Sequence, residues 1–440
     1  MAGARFDQVT AKDTLGSPNI KSSTWSPRLQ ATYDLNGDQS WLLRASFATY
    51  AGKLHDGFTN KFTFAGNPVR EWYGWGAPTN LAVTYAELMN MSNWALNADG
   101  FQGVGGASGN FVAKDLKAPS VDEWSFDVKH SYTDGSYFKA TFVRRDWKDM
   151  YNDILAIGDE TAYTPVAGVG IPPQGSVATR WVTDNRIKRN YTSVEFEFAA
   201  RLSQELSFGG NYTYAVLRGN GEGGDSGGSN TGPVGDVIGN YESVHSDRGR
   251  DASYYAPMGY LNSDQRHRSS LHLDYLTRSK ESAAFNASLL LNYASGGAFS
   301  LTRTNAFEAR TDATAAGSTI VLQYPNTYTR FFGERGFGRM NDTFNVDLKM
   351  GLDVPVVAKV RYFLEVTVFN VLNHWQLATM TTSQTATSAS PVTNSATSGY
   401  YATPLSRAAN GNYTGYGTYG GDTGNFVGGR SIVLSTGFKW

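Results

Sequence analysis

Along most of the chain, apolar and polar residues alternate one by one, the period of a strand with two unlike faces and not that of a helix. In 122–132, Trp124, Phe126, Val128 and Tyr132 share one parity, and Glu123, Ser125, Asp127, Lys129 and Ser131 share the other. In 191–200, Thr192, Val194, Phe196 and Phe198 oppose Ser193, Glu195 and Glu197; in 206–216, Leu206, Phe208, Tyr212, Tyr214 and Val216 oppose Ser207, Asn211 and Thr213. The pattern recurs in 266–275, where Leu271, Leu273 and Tyr275 stand against Arg266, Arg268, His272 and Asp274, and in 283–293, with Phe285, Leu289, Leu291 and Tyr293 against Asn286, Ser288 and Asn292. In 344–353, Phe344, Val346, Leu348 and Met350 alternate with Asn345, Asp347 and Lys349; 360–369 and 430–440 read the same way, less cleanly. Such runs are about ten residues long, enough to cross a bilayer with tilt, whereas soluble sheets use about five or six.

Alternation alone does not say which face is inside, because a soluble sandwich with an apolar core produces the same strings. The connections separate the two cases. Short turns at 36–40, 133–136, 201–205, 277–282 and 353–359 alternate with long stretches at 53–120, 148–188, 218–264, 295–341 and 373–429. Membrane barrels have short periplasmic turns and long outer loops, and loops this long are rare in compact soluble domains. With the short turns periplasmic, Tyr132, Tyr275 and Trp440 end descending strands and Trp41 begins an ascending one, all on the apolar parity, as an interfacial aromatic girdle requires. The pattern predicts eleven strands between Ser26 and Trp440 and a partial one around Arg5 to Lys12.

Composition agrees. Of 440 residues, 48 are Gly, 25 Tyr, 24 Phe and 10 Trp, and only 18% are charged, which favours strands over helices. Lys and Arg number 38 against 39 Asp and Glu, so no net field would gather nucleic acid. With no cysteine, disulfides, thiolate zinc sites and Cys nucleophiles are all excluded. No apolar stretch is long enough for a membrane helix, but a membrane β-barrel leaves no such signal. The first 25 residues contain no apolar signal-peptide region, so the chain is expected either to be cytoplasmic or to lack its true start.

Several motifs dissolve on inspection. Gly224-Asp225-Ser226-Gly227-Gly228 spells a serine-protease nucleophile string, but no His motif precedes it and no helix follows it. Gly219, Gly221 and Gly224 spell G-x-G-x-x-G without a helix to receive a phosphate. Asp34, Asn36 and Asp38 mimic a calcium loop, yet Gln39 stands where Gly is needed, and Asn36-Gly37 reads better as a hairpin turn. His267 and His272 fall on opposite faces of one strand, so they do not ligate a metal together. No catalytic, cofactor or metal site is expected. Trp72, Tyr73 and Trp75, in the longest loop, are candidate ligand contacts. Glu195, Glu197, Arg266, Arg268, Asp274, Asp347 and Lys349 are expected to line a polar lumen wall.

The whole chain resembles the barrel half of TonB-dependent outer-membrane receptors, especially the Oar-like (OmpA-related) subgroup. The resemblance is carried by segments 116–150, 189–220, 262–275, 334–350, 363–376 and 428–440, in the family's order. The last resembles the barrel C-terminal assembly signal, with Ile432, Leu434, Phe438 and Trp440 on one face. It implies an antiparallel transmembrane β-barrel segment of about 12 strands from a barrel of about 22. Residues 1–440 would be its C-terminal part, with the signal peptide, N-terminal sandwich and plug absent from this chain. The implied place is the outer membrane of a Gram-negative cell. The implied partners are outer-membrane lipid, the barrel assembly machinery and, only through the missing plug, the TonB complex. The implied function is ligand uptake without enzymatic activity. The competing expectation is a soluble or secreted all-β carbohydrate-binding or hydrolytic protein.

Overall fold

The computed structural model describes residues 1–12, 18–52, 73–75, 84–96, 110–112, 116–155, 179–221, 257–277, 283–306, 314–315, 318–319, 327–357, 360–374, 376–377, 383–385, 426–427 and 429–440. Its long strands are β1 Ala2–Lys12, β2 Pro18–Asp34, β3 Trp41–Ala51, β4 Ser120–Ser131, β5 Tyr137–Lys148 and β6 Arg189–Arg201. They continue as β7 Leu206–Gly219, β8 His267–Leu276, β9 Ala284–Ala294, β10 Thr343–Val357, β11 Val360–Phe369 and β12 Ser431–Lys439. Each is hydrogen bonded to the next in sequence, so spatial order is chain order; a two-residue strand, Gly259–Tyr260, adds to the end of β7. Among the described residues no ladder joins β1 to β12, which leaves one open edge on each. No helix among them is long and apolar enough to cross a membrane.

Residues paired across antiparallel strands share a face, so the registers sort the sheet into two surfaces. One carries Phe47, Trp124, Phe126, Phe142, Val194, Phe196, Leu271 and Leu273, then Leu289, Leu291, Val346, Leu348, Val366, Val368, Ile432 and Leu434. The other carries Ser46, Ser125, Asp127, Thr141, Glu195, Glu197, Asn211, Ser270, Asn292, Asn345 and Asp347.

Exposure decides which surface faces out. On β4, Trp124 and Phe126 are 57% and 47% exposed while Asp127 is 5% exposed, and on β12 Ile432 and Leu434 are 66% and 65% exposed. A soluble sandwich would bury the apolar row. A sheet that meets hydrocarbon outside and a polar space inside reverses that order. The larger buried apolar side chains gather instead where the long connections leave the sheet, at Leu116, Met150, Tyr151, Ile187, Leu217, Leu261 and Leu301.

At the opposite, turn end the connections are tight. The Asp34 carboxylate accepts the Gly37 and Gln39 N–H groups at 3.0 and 2.8 Å, and Gly37 sits at φ +77°, so this segment is a hairpin turn. In the next turn Asp134 accepts from the Ser136 N–H and hydroxyl, which hold its carboxyl below the usual carboxylate range. Aromatic side chains collect at this end: Trp41 stacks on His130 with centroids 4.2 Å apart, and His130 meets Tyr132 edge-on at 4.4 Å. The partial first strand of the sequence reading is a full strand of 11 residues, and β2 begins at Pro18, well before Ser26.

Candidate functional site

The inner surface of β3–β11 is a polar wall whose charges are largely matched. Arg145 pairs with Glu123 at 2.5 Å, Lys139 with Glu197 at 3.3 Å and Lys349 with Glu365 at 2.9 Å. Tyr137 donates to Glu197 at 2.5 Å, Ser193 to Glu195 at 2.9 Å, Ser288 to Asp274 at 2.6 Å and Asn345 to Asp347 at 2.8 Å. These pairs are half open to solvent, so each contributes little to stability; together they make a wetted surface with no net field. Gly209 leaves room for the His272 ring, whose atoms would lie 2.8 Å from any Cβ there. Arg268 stands apart, with no ion pair or hydrogen bond among the described residues. It lines a cavity of about 550 Å³ with Asn211, Thr213, Ser270, Asn292 and Asn345.

Arg266 is placed differently from the rest of its expected row. It immediately precedes β8, its carbonyl accepts the Ala215 N–H at 2.9 Å, and its Nε donates to Asp264 at 3.0 Å. Asp264, 1% exposed, is the hub of the loop end: it also accepts the Leu217 N–H at 2.5 Å and Arg339 Nη2 at 2.5 Å. Its backbone carbonyl accepts from Arg339 Nη1 at 2.6 Å and from the Ala298 N–H at 3.2 Å. Two separate connections, the one between β7 and β8 and the one between β9 and β10, are thereby tied to the end of β7. Arg335, 3% exposed, donates to the Asn220 carbonyl at 2.8 Å, and its own carbonyl accepts the Tyr260 N–H at 3.1 Å. Gly336 has φ +68°, and a Cβ there would lie 2.2 Å from the Tyr260 carbonyl oxygen, so only glycine fits. Sequence reasoning missed this hub. The available signal was the Arg and Asp content of 262–266 and 334–342, just before the alternating runs of β8 and β10.

Of the candidate ligand contacts, Trp72 lies outside the described residues, and Tyr73 and Trp75 belong to a short strand, Tyr73–Trp75, paired with Trp94–Leu96. The glycine run around Ser226 also lies outside them. Among the described residues no group of three or more His, Asp or Glu is placed to hold a metal. Ile432, Leu434 and Phe438 share one face of β12, opposite Val368, Val366 and Tyr362, and Trp440 follows, 93% exposed.

The outward apolar rows, the polar inner wall and the short-turn, long-loop alternation are together the design of a sheet built for a bilayer. The family profile described as an outer membrane beta barrel domain matches residues 5–409. The chain belongs to that family. Its fold is an antiparallel transmembrane β-barrel segment, and its place is the outer membrane. Among solved structures, this barrel domain is similar to the outer membrane transporter YddB from Escherichia coli, at 14% identity and a TM-score of 0.44, over 82% of this chain and 39% of that one. It is also similar to the siderophore receptor PiuA from Acinetobacter baumannii, at 10% identity and 0.41, over 86% and 37% of the two chains. A third is BauA, the ferric preacinetobactin receptor from Acinetobacter baumannii, at 9% identity and 0.43, over 86% and 36%. The barrel domain thus spans less than two fifths of each of these proteins. No curated protein matches it.

Proposed function

We propose that this barrel domain is the C-terminal barrel portion of a TonB-dependent receptor of the Oar-like subgroup, which takes up a scarce ligand and catalyses no reaction. The observation that supports this best is a polar inner wall on a sheet whose first and last strands are not joined among the described residues. In hydrocarbon every backbone N–H and C=O needs a partner, so the free edges of β1 and β12 call for further strands. About ten more would make a barrel of about 22, the size whose lumen holds a plug. In this reading residues 1–440 form one barrel unit, and the inner wall of Glu195, Glu197, Arg268, Asp274, Asp347 and Lys349 faces the plug. The long connections are extracellular, with Trp72, Tyr73 and Trp75 against ligand. Ile432, Leu434, Phe438 and Trp440 are read by the barrel assembly machinery. The ligand classes implied are ferric siderophores, cobalamin and glycans. The soluble carbohydrate-binding or hydrolytic alternative would need the apolar rows turned inward, and they are turned outward.

The test is uptake by cells carrying the protein in its native outer membrane. Uptake should require the TonB complex and stop on adding a protonophore, while binding of ligand to the cells persists. Uptake that continues unchanged without TonB would mean passive passage and would overturn the proposal.

A further inference from the structure

On the outward face the apolar rows end at one level near the loop end. Beyond Phe142, Val194 and Tyr214 the next outward positions are Arg144, Thr192 and Val216, and then Asp146, Asn190 and Arg218. Most charges at this level are spoken for. Arg144 pairs with Asp146 at 2.8 Å, Asn190 donates to the same carboxylate at 2.5 Å, and Lys148 pairs with Asp122. Farther along the rim, Asp342 accepts from the Tyr293 hydroxyl at 2.6 Å and the Gly296 N–H at 3.0 Å.

Arg218 differs. Among the described residues it has no ion pair or hydrogen bond, and its guanidinium carbon lies 5.1 Å from the centroid of the Tyr260 ring. Two more guanidiniums share that ring, Arg266 at 4.2 Å and Arg339 at 5.3 Å. Tyr260 is paired with Arg218 across the ladder and so takes the same, outward side; Arg266 is also beside the hydroxyl of outward-facing Tyr214. Among the described residues the one carboxylate bound to this cluster is Asp264, fully buried and shared by Arg266 and Arg339. Three cations against one buried anion therefore gather on the outside wall. From Leu206 to Arg218 the strand takes about twelve steps, which at about 3.3 Å each and a tilt of about 40° climb about 30 Å, the thickness of the hydrocarbon layer. The cluster thus stands at headgroup height, directly above the apolar band.

We propose that Arg218, Arg266, Arg339 and Tyr260 form a site on the outer wall that binds the phosphate groups of an outer-leaflet lipid. Planar guanidiniums match phosphate oxygens in pairs, and a shared ring holds three of them oriented before the lipid arrives. Tyr214 and Leu271, below, would receive the acyl chains. The inference rests on the long connections being extracellular.

The experiment measures lipid retained by protein extracted from its native outer membrane in mild detergent and then incubated with defined lipids, read by native mass spectrometry. The probes are a bis-phosphorylated disaccharide lipid and the same lipid without its phosphates. The phosphorylated form should be retained preferentially. Arg218→Gln, which removes no hydrogen bond or ion pair among the described residues, should lower that retention about five-fold, the equivalent of about 1 kcal/mol for one basic residue near an anionic leaflet. Arg201→Gln, at the turn end, should not change it, and inorganic phosphate at the lipid's concentration should not displace the lipid. Equal retention of the two lipids, wild-type retention by Arg218→Gln, or full displacement by inorganic phosphate would overturn the proposal. Intact cells carrying Ser229→Cys are labelled in parallel with a membrane-impermeant maleimide. Labelling only after lysis would overturn the orientation itself, and labelling of intact cells confines any failure to the lipid site.

Discussion

Asp264→Ala is expected to release the loop end of the barrel domain at a cost of about 3 kcal/mol. Removing one partner of a buried ion pair costs about 3 to 5 kcal/mol, because the other is left desolvated without its counter-charge. The low end applies here, since the side chains of Arg266 and Arg339 keep 23% and 32% of their surface in solvent. The Leu217 N–H would also lose its carboxylate acceptor. Limited proteolysis should show the effect as new cleavage in 296–300 and 335–342, with the ladders of β7 to β10 still protected. Asp264→Asn, which can still accept from Leu217 but carries no charge, should fall between the two. Wild-type protection in Asp264→Ala would contradict the assignment of Asp264 as the hub.

Leu434→Arg is expected to cost about 2 to 4 kcal/mol, the penalty for a cation on the lipid face near the bilayer midplane. Leu434 is 65% exposed, opposite Val366 on the outward surface. Ser435→Arg, one residue on, should cost far less: Ser435 lies opposite Glu365 on the inner wall, so the new guanidinium meets a carboxylate and water. The comparison is made as the fraction of heat-modifiable, folded protein in outer-membrane fractions. Equal loss for the two substitutions would remove the assigned facing.

Strands and faces were legible in the sequence because lipid imposes a two-residue period wherever it touches the sheet. Trp124, Phe126, Leu271, Leu289 and Leu348 all stand on the surface their parity indicated. Parity failed where the ladder stops. Arg266 looked like one more member of the row of Arg268 and Asp274, but it lies one residue before β8, where its carbonyl still accepts the Ala215 N–H at 2.9 Å while its side chain is drawn to Asp264. The early strands run longer than the alternation alone indicates; at Pro27 β2 pairs only with β1, and a strand with one open side tolerates proline. The hub was illegible for another reason. Leu217, Asp264 and Arg339 are far apart in sequence and meet only because two connections fold back on one strand end, a non-local arrangement that no local period records.

The central claim is that the apolar surface of this sheet meets lipid and the polar surface meets water. It is tested most directly by spin labels on neighbouring residues of β4 at Phe126→Cys and Ser125→Cys, with the protein in its native outer membrane, reading the accessibility of each label to dissolved oxygen and to a water-soluble nickel chelate. The label at 126 should be relaxed by oxygen and shielded from nickel, because Phe126 is an outward residue 47% exposed. The label at 125, on the inner side where Ser125 meets Ser46 at 2.7 Å, should show the reverse. The opposite pattern, or a label at 126 shielded from both reagents, would mean that the apolar rows face a protein core and that this sheet does not line a membrane barrel.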